Sequence, residues 1–136
     1  MKHWLVNLPK KYWTTAHILW AVVVFGLHAM SSKSFPKISF WENLGPDKIV
    51  HAFMFFVATA IAIQSGWRRA SAAIVWIAAG IFLEFYQFYF TIDRTFDWLD
   101  IVADFFGVFI AVKIASHRNT QKNKGYSHIS SETFPF

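Results

Sequence analysis

Apolar residues run almost unbroken through four stretches of this chain, at about 13–30, 47–64, 70–90 and 98–115. Each is close to the roughly 20 residues that a helix needs to cross a bilayer. The second and fourth open with polar residues, so hydropathy alone scores them lower. Within them the polar positions recur every three or four residues, which is the helical period. Gly45-Pro46 punctuates the start of the second stretch, with Asp47 as its expected cap. The pattern predicts an all-α integral membrane bundle of four transmembrane helices, forming one domain over residues 1–116. Loops are expected at 31–46, 65–69 and 91–97. Residues 117–136 are polar and rich in Ser, Asn and Lys, the composition of a disordered tail. Lys10 and Lys11 before the first stretch resemble a signal-peptide start. The exit His28-Ala29-Met30-Ser31 has no small-x-small cleavage pattern, so an uncleaved span is expected.

Charge adds an orientation. Only 15% of residues are charged and 55% are hydrophobic, whereas soluble domains carry about 25% charged residues. The net charge of +5 does not point to nucleic acid, because the basic residues flank the apolar stretches. Lys2, Lys10, Lys11, Arg68, Arg69, Lys113, Arg118, Lys122 and Lys124 fall on one side of the expected bundle. Lys33, Lys37, Lys48 and Arg94 fall on the other. The positive-inside rule then places both termini, and the tail, in the cytoplasm of a multi-pass protein of the cytoplasmic (inner) membrane. The acids sort the opposite way. Glu42, Asp47, Glu84, Asp93, Asp97, Asp100 and Asp104 lie in the outer loops or outer halves of the spans, and only Glu132 lies in the tail. The chain has no cysteine, which excludes disulfides, thiolate metal sites and a thiol nucleophile.

Ionisable groups inside spans are costly and rare, and here three helices carry them at one level. At 1.5 Å per residue, His51 lies about 6 Å inside the outer end of the second span, and Glu84 and Asp104 about 9 Å inside theirs. Asp97, Asp100, Asp104, Gly107 and Ala111 share one stripe of the fourth helix. Gly80, Glu84 and Gln87 share a stripe of the third, and Asp47, His51, Ala58 and Ala62 a face of the second. Small residues on the same stripes allow close backbone approach between membrane helices. The stripes are therefore expected to converge on an outward-opening polar pocket. Trp4, Trp13, Trp41, Trp67 and Trp98 sit near span ends as interfacial anchors. Phe53, Phe55 and Phe56 are expected to face lipid or pack.

Pro46-Asp47-Lys48-x-x-His51 at a helix start resembles the first motif of the VanZ-like membrane proteins. Glu84-x-x-Gln87 at a helix end, followed by Arg94-x-x-Asp97-x-x-Asp100-x-x-x-Asp104, resembles the family's second block. The ordered set covers about residues 46–111. Ala52 stands where the family often has an aromatic residue. The resemblance implies a small multi-span helical protein of the cytoplasmic membrane. The family is named for a member linked to resistance to teicoplanin, a glycopeptide that acts on cell-wall precursors, so it implies a role in such resistance or in envelope homeostasis. It supplies no settled reaction.

Each of these residues has a structural reading beside the functional one. Asp47 and Lys48 can cap a helix and meet headgroups. His51 can be a helix-packing group or, since an imidazole's ordinary pKa is near 6.5, a proton-transfer group. Glu84 and Asp104 can form structural bridges. Arg94 can pair with Asp97 or hold a phosphate. Gln87 is expected to orient Glu84. His28, near the outer end of the first helix, is a further candidate to join the pocket. Two functions stay open. In the first, Asp47, Lys48, Gln87, Arg94, Asp97 and Asp100 bind the headgroup of a lipid or lipid-linked cell-envelope precursor. In the second, His51, Glu84 and Asp104 are catalytic, and Glu84, Asp100 and Asp104 hold a divalent cation such as Mg²⁺ at a lipid-linked phosphate.

Overall fold

The computed structural model describes residues 8–29, 46–91 and 95–132. They form four helices in chain order: α1 (Lys10–Ala29), α2 (Pro46–Gln64), α3 (Arg69–Phe90) and α4 (Trp98–Glu132). Arg94, Trp4 and Trp41 lie outside the described residues. The all-α reading holds. Three helices are long and apolar enough to cross a membrane: α1, the Asp47–Gln64 part of α2, and α3. The fourth expected span is not among them, because Asp100, Asp104 and Lys113 interrupt the apolar run of α4. Beyond Ala115, through residues expected to be an unstructured tail, α4 continues as helix to Glu132.

Local chemistry explains the helix ends. Pro46 is the first residue of α2, where its fixed φ suits a helix and its missing N–H costs nothing. Asp47 therefore lies within the first turn of α2 rather than at its cap. At the other end, Gly66 adopts φ 106°. Trp67 N–H reaches Ala62 O at 3.1 Å and Gly66 N–H reaches Ile63 O at 3.1 Å. This is the Schellman arrangement, which satisfies the last carbonyls and turns the chain sharply into α3. Asp97 caps α4: its Oδ1 accepts the Leu99 N–H at 2.9 Å, which occupies one of the donors left free at a helix start.

Packing follows the small-residue stripes. α2 and α4 form the broadest contact, and α3 packs on both. A Cβ added at Gly107 of α4 would overlap the Ala52 carbonyl of α2. A Cβ at Gly80 of α3 would lie 2.7 Å from Asp104 Oδ2 and 3.2 Å from Phe55 Cε1. Both glycines are thus required by close approach. Ala58, Ala62 and Ala72 are fully buried beside Val24, Phe55, Leu83 and Val108. Phe55 is a core residue whose ring meets Trp76 edge-on at 5.8 Å, whereas Phe53 on the same helix is exposed. Trp20 of α1 ties to α2 by donating Nε1–H to Met54 O at 3.0 Å. The outward faces carry Ile18, Leu19, Val22, Ile74, Phe82, Tyr89 and Phe106, apolar side chains without protein cover, as a lipid-facing surface requires.

Candidate functional site: a polar cluster at one end of the bundle

Antiparallel succession brings the start of α2, the end of α3 and the start of α4 to the same end of the bundle. His51, Glu84, Asp100 and Asp104, all expected from the sequence, are each at most 4% exposed there. Their burial is the cost that the apolar context implies, and each is met by specific partners.

His51 is the centre. Its Nδ1 hydrogen-bonds Asp104 Oδ1 across the α2–α4 contact at 3.0 Å. The other oxygen of Asp104 lies over Gly80, so a glycine on α3 makes room for a carboxylate on α4. His51 Nε2 points the other way, 3.8 Å from Asp100 Oδ2 and 4.0 Å from Asp47 Oδ1. Those separations exceed hydrogen-bond length. The His28 ring stacks edge-on against His51 with centroids 5.0 Å apart, so α1 does contribute to the cluster. Periodicity alone could not decide that contribution, because α1 has no other polar residue on the buried side at this level.

Lys48 does not stand ready for a headgroup. Its ammonium bonds to both Asp97 and Asp100 and lies 3.9 Å from Asp47 Oδ2. The adjacent ammonium holds the Asp97 carboxyl below its ordinary range, helped by the Leu99 amide. Asp97 is thus more than the end of a loop: it caps α4, binds Lys48, and donates its own backbone N–H to Glu84 Oε1 at 2.6 Å. Glu84 Oε2 has no hydrogen-bond partner among the described residues. Gln87 does not orient Glu84. It donates Nε2–H to the His28 carbonyl at 3.2 Å and so fastens α3 to the end of α1.

The donor atoms that converge differ from the set expected for a metal. Among the described residues, Asp47, His51 and Asp100 place one ligand atom each within 4.8 Å of one another. Asp100 belongs to both sets. Glu84 is turned to the Asp97 amide and Asp104 to the far nitrogen of His51.

No curated protein and no solved structure matches the chain significantly. A family profile described as VanZ/LLP1 matches residues 6–119, a stretch that contains every residue of the cluster. Together with three helices of membrane-spanning length, this makes the chain a membrane protein that belongs to the VanZ/LLP1 family.

Proposed function

We propose that this protein is a four-span protein of the cytoplasmic membrane whose polar end faces outward and binds the headgroup of a lipid or lipid-linked cell-envelope precursor. The observation that carries the reading is the gathering of Asp47, Lys48, His51, Glu84, Asp97, Asp100 and Asp104 at one bundle end. Arg68, Arg69, Lys113 and Arg118 lie towards the other end, where Arg69 donates to Ser116 Oγ at 2.9 Å. By the positive-inside rule the basic end is cytoplasmic. In this topology α4 crosses as a fourth span, its carboxylates shielded against α2 and α3 rather than facing lipid.

The cluster's charge narrows the ligand. Five carboxylates surround Lys48 and His51, with His28 against the His51 ring, so the site favours an amine- or hydroxyl-bearing headgroup. A phosphate would meet it only through a cation. Such a site at the outer leaflet suits a part in envelope homeostasis or in resistance to teicoplanin-type glycopeptides.

Native mass spectrometry of the full-length protein extracted in mild detergent tests the binding reading. A stoichiometric lipid or precursor adduct is expected, and Asp100→Asn should release it. Wild-type protein with no adduct under any mild extraction would refute the reading. The topology is checked by a reporter fused after Ser116, which should read out as cytoplasmic.

A second reading is favoured by the convergence of Asp47, His51 and Asp100. It is an intramembrane enzyme acting on a lipid-linked phosphate, with His51 as acid or base and carboxylates holding a cation such as Mg²⁺. It requires that the purified protein convert such a substrate, and that Asp104→Asn abolish conversion without lowering the melting temperature.

A further inference from the structure

We propose that Asp47, His51 and Asp100 form a binding site for a first-row divalent transition cation of the Zn²⁺ or Mn²⁺ type, at the mouth of the polar cluster and gated by Lys48. The site is independent of whether the cluster also binds a headgroup.

The geometry around His51 points to it. Two donors on one such ion are each about 2.0–2.2 Å from the metal, and hence roughly 3–4 Å from each other. His51 Nε2 lies 3.8 Å from Asp100 Oδ2 and 4.0 Å from Asp47 Oδ1. These are too long for hydrogen bonds and suit a shared ion between the three atoms. The opposite ring nitrogen supplies an independent sign. His51 Nδ1 bonds the buried Asp104 carboxylate at 3.0 Å. A metal-bound histidine almost always makes this outer contact, because it sets the tautomer that leaves the other nitrogen's lone pair for the ion and raises its basicity. Glu84, 2% exposed, keeps Oε2 without a hydrogen-bond partner among the described residues. Its other oxygen accepts the N–H of Asp97, whose carboxylate shares Lys48 with Asp100.

The ligand types choose the class of ion. One imidazole with carboxylates suits Zn²⁺ or Mn²⁺ better than Mg²⁺ or Ca²⁺, which take oxygen ligands almost exclusively. The side chain of Asp47 is 52% exposed and gives the ion a path from water.

Lys48 is the gate. Asp100 turns Oδ1 to the Lys48 ammonium and Oδ2 to His51. Asp47 likewise presents Oδ2 to Lys48 and Oδ1 to His51. The ammonium therefore sits against the same two carboxylates that the cation would use. It holds them in place and repels the cation at the same time.

Zn²⁺ and Mn²⁺ titrated separately into the full-length protein in detergent micelles, with Mg²⁺ as comparison, test the site. One Zn²⁺ per chain is expected, with Mg²⁺ weaker. His51→Gln, Asp47→Asn and the outer-shell Asp104→Asn should each weaken Zn²⁺ by about tenfold or more. Removing the neighbouring positive charge by Lys48→Met should tighten it by about tenfold or more. In the wild-type protein, pulsed electron paramagnetic resonance of bound Mn²⁺ should show coupling to an imidazole nitrogen, a readout that needs no variant to fold. Wild-type Zn²⁺ affinity retained in Asp47→Asn, or bound Mn²⁺ without nitrogen coupling, would overturn the proposal.

Discussion

The two ends of this bundle handle charge in opposite ways. At the acidic end, charged side chains from α2, α4 and the loop before α4 are turned into one another: the half-buried Lys48 on Asp97 and on the buried Asp100, and the buried His51 on the buried Asp104. At the basic end, Lys10, Lys11, Arg68, Arg69 and Arg118 remain exposed, and what fills the space between the helices is small and apolar, chiefly Ala58, Ala62 and Ala72. The basic residues stay at the helix ends, outside the packed interior. The acidic end instead uses its charges inside the bundle, where each depends on a partner from another helix. Substitutions at the two ends should therefore differ sharply in effect.

The largest loss is expected from Asp104→Leu. It leaves the buried His51 Nδ1 without its acceptor, at a cost of about 3 kcal/mol. Thermal unfolding in detergent should show a large fall in melting temperature, and an unchanged value would mean the buried pair contributes nothing. Gly107→Ala comes next. The new methyl would overlap the α2 backbone at Ala52, and the overpacking is expected to cost about 1–3 kcal/mol. Gly26→Ala is its control, because nothing lies within 4 Å of a Cβ built there; inside a helix the change should leave stability unchanged or raise it by up to about 1 kcal/mol. A third contrast uses pH. The Asp97 carboxyl titrates below its ordinary value because Lys48 stabilises its charge. Its contribution is therefore present above the unfolded value of about 3.9 and is lost as pH falls through the lower folded value. The side chain is 36% exposed, so solvent screening keeps this contribution small. Asn retains the capping oxygen, so Asp97→Asn should lose stability near neutral pH and converge on the wild type in acid. Two parallel pH profiles would break the assignment. The smallest effect belongs to the basic end: Arg69→Ala, which removes one exposed bond to Ser116, should stay within about 0.5 kcal/mol.

Much of this architecture was legible in the residues. The spacing of Asp100, Asp104, Gly107 and Ala111 put them on one face of α4, and all four are buried. Gly80 and Glu84 on α3, and His51, Ala58 and Ala62 on α2, are buried as their stripes implied. Periodicity reports which face of a helix turns inward, and that is all these assignments required. Partner choice was not legible. Gln87 shares the Glu84 face yet bonds the His28 carbonyl, because its contact is set by where α1 ends. Lys48 looked like a headgroup contact and is instead held by two carboxylates, one of them in the loop before α4. The converging donors proved to be Asp47, His51 and Asp100, a set that depends on how far α2 and α4 slide past each other.

By itself, then, the sequence determined that the chain is helical, apolar enough for a membrane, charged oppositely at its two ends, and built to bury specific acids and one histidine. Those properties follow from residue type and from the 3.6-residue period, which act along the chain. Only the tertiary structure decided that His51 divides its two nitrogens between Asp104 on one side and the Asp47–Asp100 pair on the other. That division is set by the backbone approach at Gly107 and Gly80. It is a distance between helices, and no pattern within one helix encodes it.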